Sequence, residues 1–286
     1  MSQLASDQKS VSGSERAQQS TVSSLKLVNF RNYAHVSVAM DARHVVLTGP
    51  NGAGKTNLME AVSLLTPGRG LRRAKLADMT KANADDGFSV FANVQVDDDT
   101  FSVGTGTAGQ TGDEGSTARR LRINGTTARG NDELMDLTRI MWLTPSMDGL
   151  FTGAASDRRR FADRMVLAID PAHGRRATDY EKVMRQRNRL LEGPNDSQTN
   201  AWLDATEAQL AALGTAIVSA RQELVTLISV LLQERDANGP ATDFPTGLLS
   251  LEGDLEYMAR TQVPAGELET YFLETLRDLR HRDRAA

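Results

Sequence analysis

Cysteine is absent from this chain of 286 residues, so disulfides and thiolate metal sites are excluded and a reducing compartment is favoured. The four histidines are scattered without ligand spacing, and no metal beyond Mg²⁺ is indicated. Aromatic residues make up 5%, which gives little support for a base-stacking platform. No apolar run approaches the roughly 20 residues of a membrane-spanning helix, and the polar N-terminus lacks a signal core. These absences predict a cytoplasmic protein without a membrane segment.

The charge is unevenly distributed along the chain. The net charge of −4 is uninformative alone, but residues 157–189 hold ten basic and five acidic residues, a local excess of +5. Residues 196–286 hold seven basic and fifteen acidic residues, which gives −8. A basic middle and an acidic end indicate a polarised surface, while the alternative is two solvated helix faces of opposite sign.

The first half of the chain predicts strands and one helix, and the fold class is therefore α/β. Residues Thr56–Leu65 have the period of a helix, which Thr66-Pro67-Gly68 ends. Asn124-Gly125 predicts a type I′ turn, and the Gly- and Thr-rich stretch 105–117 predicts a flexible loop. The predicted strands are 25–30, 36–40, 44–48, 88–96, 100–103, 120–123 and 140–143, of which 44–48 and 140–143 are expected in the core.

From Ser156 onward the pattern becomes helical. Residues Trp202–Gln233 carry a heptad seam over four repeats, which predicts a long helix packed on a partner helix. The preceding helix, with Tyr180, Val183 and Leu190, is the expected partner, and an ordinary buried bundle helix is the alternative. The seam residues are Leu203, Thr206, Leu210, Leu213, Ile217, Ala220, Leu224, Leu227 and Leu231; the last helix shows Leu268, Phe272, Leu276 and Leu279 on one face.

A complete P-loop follows the predicted strand 44–48 and precedes the predicted helix. Its glycines let backbone N–H groups converge on a polyphosphate at the helix N-terminus. Lys55 is expected to contact the β and γ phosphates of ATP, and the Thr56 hydroxyl to ligate Mg²⁺. The predicted site comprises Gly49, Pro50, Asn51, Gly52, Ala53, Gly54, Lys55 and Thr56.

The class of P-loop protein follows from what surrounds the motif. The Asn-Lys-x-Asp motif of a GTPase is absent. A small-molecule kinase would usually continue in short βα repeats, whereas here an antiparallel meander and then a helical region follow. This order matches ABC-type ATPases of the SMC class, in which a helical arm is inserted into the nucleotide domain.

Several motifs in order closely resemble the RecF family. The resemblance starts at Leu25–Tyr33, with Phe30-Arg31-Asn32-Tyr33, and continues through Gly49–Glu60 and Pro67–Arg72. It resumes in Pro145–Asp163, Gln186–Leu191 and Arg280–Asp283, and so covers nearly the whole chain after the N-terminal stretch.

That resemblance implies an ATP-dependent DNA-binding protein of recombinational repair and replication, in the DNA-damage (SOS) response. Single-stranded DNA or gapped duplex, recombination mediator proteins and a second copy in an ATP-dependent homodimer are the implied partners. The implied domains are a disordered tail (1–22), the N-terminal half of an ATP-binding head (23–150), and a helical arm that begins the return to the head (151–286).

The sequence departs from the family pattern in one respect. No apolar strand ending in Asp-Glu, as Walker B requires, and no signature motif is found before Ala286. A truncated member with weak nucleotide binding and little hydrolysis is therefore expected, and no catalytic residue is assigned. The alternatives are a small-molecule kinase and a non-hydrolysing fragment that acts only as an interaction module.

Clustered arginines are the expected DNA contacts, through salt-sensitive binding to phosphates. Arg72, Arg73, Arg158 and Arg159 are the candidates, although one of Arg158–Arg160 is expected in an ion pair with Asp163. Arg31 and Asn32 either approach the nucleotide base or fix a turn. Further basic residues nearby are Arg69, Lys75, Arg175, Arg176, Arg185, Arg187 and Arg189.

Overall fold

The computed structural model describes residues 20–108, 118–239 and 245–285. The chain divides into two compact units, Met1–Thr138 and Arg139–Ala286. The division falls twelve residues before the expected boundary after residue 150. The predicted tail needs correction at its end, because Ser20–Val22 begin the first strand; residues 1–19 lie outside the described part.

The first unit is built on a six-stranded antiparallel sheet in the order β2-β1-β3-β4-β5-β6. Alternation in β3, with every second residue buried, gives the sheet an inner and an outer face. Asn124 (φ 51°) and Gly125 (φ 78°) join β5 to β6 with two positive φ angles, as the predicted type I′ turn requires. The strands are β1 Ser20–Phe30, β2 Tyr33–Ala39, β3 Ser89–Val96, β4 Asp99–Gly106, β5 Arg120–Ile123 and β6 Thr126–Thr127.

Helix α1 (Lys55–Ser63) confirms the predicted helix and contributes to the core of this unit. Leu64 and Leu65, which follow it, are buried, and the rings of Phe30 and Phe88 meet edge to face with centroids 5.3 Å apart. Arg119 donates to the carbonyl oxygens of residues 64, 66 and 68 just beyond the helix, and burial lowers its pKa to about 10. This arginine ties the end of α1 to the sheet.

Two predicted core strands are wrong. Segments 44–48 and 140–143 have no strand structure and no buried side chain: Val46 is 82% and Leu143 79% exposed, while Leu47, Ile140 and Trp142 are half-buried. Both segments are apolar, but a strand also needs a neighbouring strand for its backbone hydrogen bonds. No described strand pairs with either segment. The predicted loop 105–117 is partly strand, since Thr105 and Gly106 end β4, and 109–117 lie outside the described residues.

The second unit is helical, as predicted. Helix α4 starts at an N-cap in which Asp196 accepts from the Thr199 N–H at 2.8 Å. The described helices of the second unit are α2 Ala155–Val166, α3 His173–Leu191, α4 Ser197–Asn238, α5 Asp254–Arg260, α6 Ala265–Asp278 and α7 Arg280–Arg284. Short 3₁₀ turns cover Ala77–Met79 and Asn131–Asp136 in the first unit and Pro145–Met147 in the second.

The predicted seam of α4 is confirmed from Leu203 to Leu224, where it packs on neighbouring helices. Leu210 forms a buried cluster with Val183 of α3 and Leu276 of α6. Gly214 permits this approach, since a Cβ there would lie 2.4 Å from the Phe272 ring. Beyond Leu224 the seam is exposed, with Leu227 at 43% and Leu231 at 63%. The intrachain partner helix was therefore predicted correctly, but the seam is buried only in part.

Helix α4 also corrects the statement that no segment approaches a membrane span. An 18-residue window within Ser197–Asn238 has a mean hydropathy of 1.4 with few charges, so by length and composition it meets the criterion. One such helix is weak evidence for a span, because core helices pass the same test. The stripe packs against α3 and α6 around Leu210, and 28% of the window is buried.

Candidate nucleotide site

The backbone of residues 49–56 turns at three glycines with positive φ angles. Gly49, Gly52 and Gly54 have φ angles of 141°, 84° and 101°, a region that side-chain-bearing residues rarely adopt. Gly54 is the N-cap of α1 and offers no side-chain acceptor, and the first turn holds no acidic residue. The positive end of the helix is therefore unneutralised within the loop, which favours an anion there.

Lys55 folds back over the loop. Its Nζ donates to the carbonyl oxygens of Gly49 (2.6 Å) and Pro50 (2.8 Å). These bonds hold the ammonium against the backbone carbonyls of the loop. Thr56 follows in the first turn of α1 and is half-buried.

The turn between β1 and β2 packs against Gly54 and the start of α1. A Cβ at Gly54 would lie 2.4 Å from the Tyr33 Oη and 2.9 Å from the Asn32 Nδ2. The Asn57 side chain donates to the Asn32 Oδ1 at 2.7 Å. Asn32 therefore holds the start of α1 in place.

A buried carboxylate links this turn to the helix. Glu60 is fully buried and accepts from Arg31 through Nε (2.8 Å) and Nη2 (2.7 Å). Arg72 adds a bond from Nη1 at 2.9 Å, and Arg31 also donates to the Asp78 carbonyl at 2.6 Å. Sequence reasoning missed Glu60. The available signal was a charged residue next to Ala61 on the apolar side of α1, in a chain that carries arginines at positions 31 and 72.

The loop after α1 is held by Ser63, whose Oγ donates to the Glu60 carbonyl and accepts from the Leu71 N–H, both at 2.7 Å. Arg72, one of the predicted DNA contacts, is thereby placed against Asn57 (2.8 Å) and Glu60, with 40% of its side chain exposed. Arg73 is exposed and has a φ of 55°.

Two other predicted DNA contacts lie at the start of α2. Arg158 donates to the Gly153 carbonyl at 2.6 Å, and Arg159 is exposed. Of the three consecutive arginines, Arg160 forms an ion pair, with Asp157 at 2.9 Å. The expected pairing with Asp163 is wrong.

Asp163 instead binds Arg221, through two bonds of 2.8 and 2.9 Å, and His173 at 2.8 Å. Burial raises the pKa of this carboxyl, but the hydrogen bonds and charges of His173 and Arg221 outweigh it, so its net pKa is lowered. This cluster joins α2, α3 and α4 and has a structural role.

Arg187, predicted among the clustered basic residues, is buried and does not lie on the surface. It is 4% exposed and binds Glu207 (2.8 Å), Asp283 (2.8 Å) and the Leu276 carbonyl (2.7 Å). Desolvating an arginine is costly unless such partners are present, so it serves the interior of the second unit. Sequence position alone did not reveal its burial.

Within the described ranges, no group of three or more His, Asp or Glu side chains is placed to hold a metal ion.

Comparisons with known proteins show the family of the chain. The RecF/RecN/SMC N terminal domain family matches residues 21–148. The "DNA replication and repair protein RecF" of Rhizobium rhizogenes is 54% identical over 93% of this chain and 68% of its own length. The chain belongs to the RecF family. The Brucella suis protein of the same name is 56% identical over 92% of this chain and 66% of the relative, so the chain spans about two thirds of such RecF proteins.

Solved structures show the fold. A structure of the recombination mediator protein RecF-ATPrS in the RecFOR pathway has a TM-score of 0.67 at 19% identity, over 90% of this chain and 70% of that one. A RecF-ATP structure has a TM-score of 0.66 at 18% identity, over 93% and 71%. The fold is thus that of a P-loop ATPase of the ABC type with a helical arm, as in other members of the RecF family.

Proposed function

We propose that this chain binds ATP at residues 49–56 and contacts DNA, single-stranded or gapped duplex, in recombinational repair and replication. The observation that carries the proposal is the geometry of residues 49–56: three glycines at positive φ, a helix N-terminus without a side-chain cap, and Lys55 bonded back to the carbonyls of Gly49 and Pro50. The curated RecF relatives, named as replication and repair proteins, support the DNA part.

In this proposal each loop residue has one task. Backbone N–H groups at the N-terminus of α1 receive the β-phosphate, and the Lys55 ammonium leaves its carbonyl acceptors for the β and γ phosphates. The Thr56 hydroxyl would hold Mg²⁺, which would neutralise charge between the phosphates. Asn32, Asn57 and Glu60 keep the helix start in place and touch no phosphate.

Recombination mediator proteins, a second copy of the chain and a cytoplasmic location complete the proposal. The solved RecF structures, described as a mediator in the RecFOR pathway, support the first. The nucleotide is proposed to favour the dimer.

The DNA part is tested by fluorescence anisotropy with labelled single-stranded and gapped DNA, with and without ATP and Mg²⁺. ATP should strengthen binding, and Arg72→Ala with Arg73→Ala, or Arg158→Ala with Arg159→Ala, should weaken it and lower its salt dependence. Arg43→Ala, which removes an exposed arginine paired with Asp41, is the matched control and should bind as the unmodified chain does.

Binding that ignores both ATP and these arginines would contradict the proposal. ATP turnover stimulated by a metabolite but indifferent to DNA would instead favour a small-molecule kinase. Capture of protein partners that survives Lys55→Ala, without DNA binding, would favour an interaction module.

A further inference from the structure

The outer face of the sheet carries an exposed aromatic ring between two cations. Strand register places Lys26 beside Phe91, Phe91 beside Gly104, and Gly104 beside Arg122, in one row across β1, β3, β4 and β5. Lys26 and Arg122 are exposed, and 48% of Phe91 is exposed. The row borders a shallow depression with a cavity volume of about 310 Å³.

Gly104 sets the position of the ring. A Cβ at Gly104 would lie 3.0 Å from both Cδ1 and Cε1 of Phe91, so the ring lies over the glycine and offers its other side to solvent. A single exposed ring is ordinary on a protein surface, but this one is held over Gly104 with one face open to a stacking partner.

Charge on this face points to an anionic occupant. Arg120 lies on the same face as Arg122, two residues away along β5. Among the described strand residues that share this face, none is Asp or Glu. Lys26 and Arg122 are three strand spacings apart, about 14 Å, with the ring between them.

We propose that this face, defined by Lys26, Phe91, Gly104 and Arg122, binds single-stranded nucleic acid, with a base stacked on Phe91 and phosphates on Lys26 and Arg122. An aromatic ring flanked by cations on an open sheet binds unpaired bases, whose faces are available, and not the bases of a duplex. The inference deepens the DNA contact of the proposed function and rests on it. It departs from the expectation that an aromatic content of 5% gives little support for base stacking.

The test is anisotropy with a labelled oligothymidylate and the complete chain, without nucleotide. Phe91→Ala should weaken binding about 5- to 150-fold. Phe91→Trp should retain binding, whereas Phe91→Leu should not, because it keeps apolar area but loses the ring. Tyr257→Ala, which removes another exposed ring, is the control and should have no effect.

The cations are tested by salt dependence. Lys26→Ala combined with Arg122→Ala should lower the slope of log K against log salt by about 1.4, two phosphate contacts at about 0.7 each. Lys182→Ala removes an exposed lysine elsewhere and should leave the slope unchanged. Gly104→Ala should weaken binding by displacing the ring, with no change in the circular dichroism of the sheet.

The outcomes separate this inference from the proposed function. Oligothymidylate binding that is unchanged by the Phe91, Lys26 and Arg122 substitutions would overturn the sheet-face site and leave nucleotide and DNA binding standing. If the unmodified chain does not bind oligothymidylate, the sheet-face site is also overturned. ATP binding at Lys55 is measured separately and does not depend on that result. If polyglutamate competes with oligothymidylate equally well, and Phe91→Leu does not change this competition, the face binds acidic peptides and the inference is also overturned.

Discussion

Removing the charge of Glu60 tests how the nucleotide site is supported. The carboxylate is fully buried, and its partners Arg31 and Arg72 are 18% and 40% exposed. Breaking a buried ion pair by deleting one partner typically costs about 3–5 kcal/mol. Glu60→Gln keeps the shape and some hydrogen bonding, and Arg72 can turn to solvent, so we expect a loss of about 2–3 kcal/mol.

Urea unfolding followed by far-ultraviolet circular dichroism measures this loss. With a slope of about 2 kcal/mol per molar, the midpoint of unfolding should fall by roughly 1–1.5 M. Arg31→Met should cost more than Arg72→Met, since Arg31 is less exposed and makes two of the three bonds to Glu60. Glu223→Gln alters an exposed glutamate and should shift nothing. A Glu60→Gln midpoint within 0.2 M of the unmodified chain, on the order of the measurement error, would refute the reasoning.

Two further outcomes follow from the geometry. Gly54→Ala places a Cβ 2.4 Å from the Tyr33 Oη at a φ of 101°, so fluorescent ATP-analogue binding should be lost while circular dichroism is retained; normal affinity would contradict the loop geometry. The pKa of Asp163 is lower in the folded protein than in the unfolded chain, where it is about 3.9. Ionised Asp163 therefore stabilises the fold at pH values above about 3.9, and this contribution is lost as the pH falls through the folded pKa. Asp163→Asn, which leaves His173 and Arg221 in place, should therefore flatten stability between about pH 5 and 2 in urea titrations; an unchanged acid limb would argue against this cluster.

The sequence predicted features whose causes are local. Alternation located β1 and β3, Asn124-Gly125 located the type I′ turn, and the glycines of residues 49–54 located a turn before α1, because each pattern acts within a few residues. The α4 seam was local too, and its burial stops at Leu224, beyond which the described helices do not cover it.

Features that depend on distant residues were missed. Segments 44–48 and 140–143 looked like strands, but a strand needs a neighbour that periodicity cannot supply. Glu60 became interpretable only once Arg31 and Arg72 were brought to it, and Arg187 only once Glu207 and Asp283 surrounded it. Pairing register brings distant residues together in the same way on the outer sheet face.

The central claim is that residues 49–56 bind a nucleoside triphosphate, and calorimetric titration of the complete chain with ATP and Mg²⁺ tests it most directly. The account predicts saturable binding that Lys55→Ala abolishes, with the fold retained by circular dichroism. Lys75→Ala, which alters an exposed lysine outside the loop, should leave the affinity unchanged. ATP binding that persists undiminished in Lys55→Ala, or its absence from the unmodified folded chain, would contradict the account.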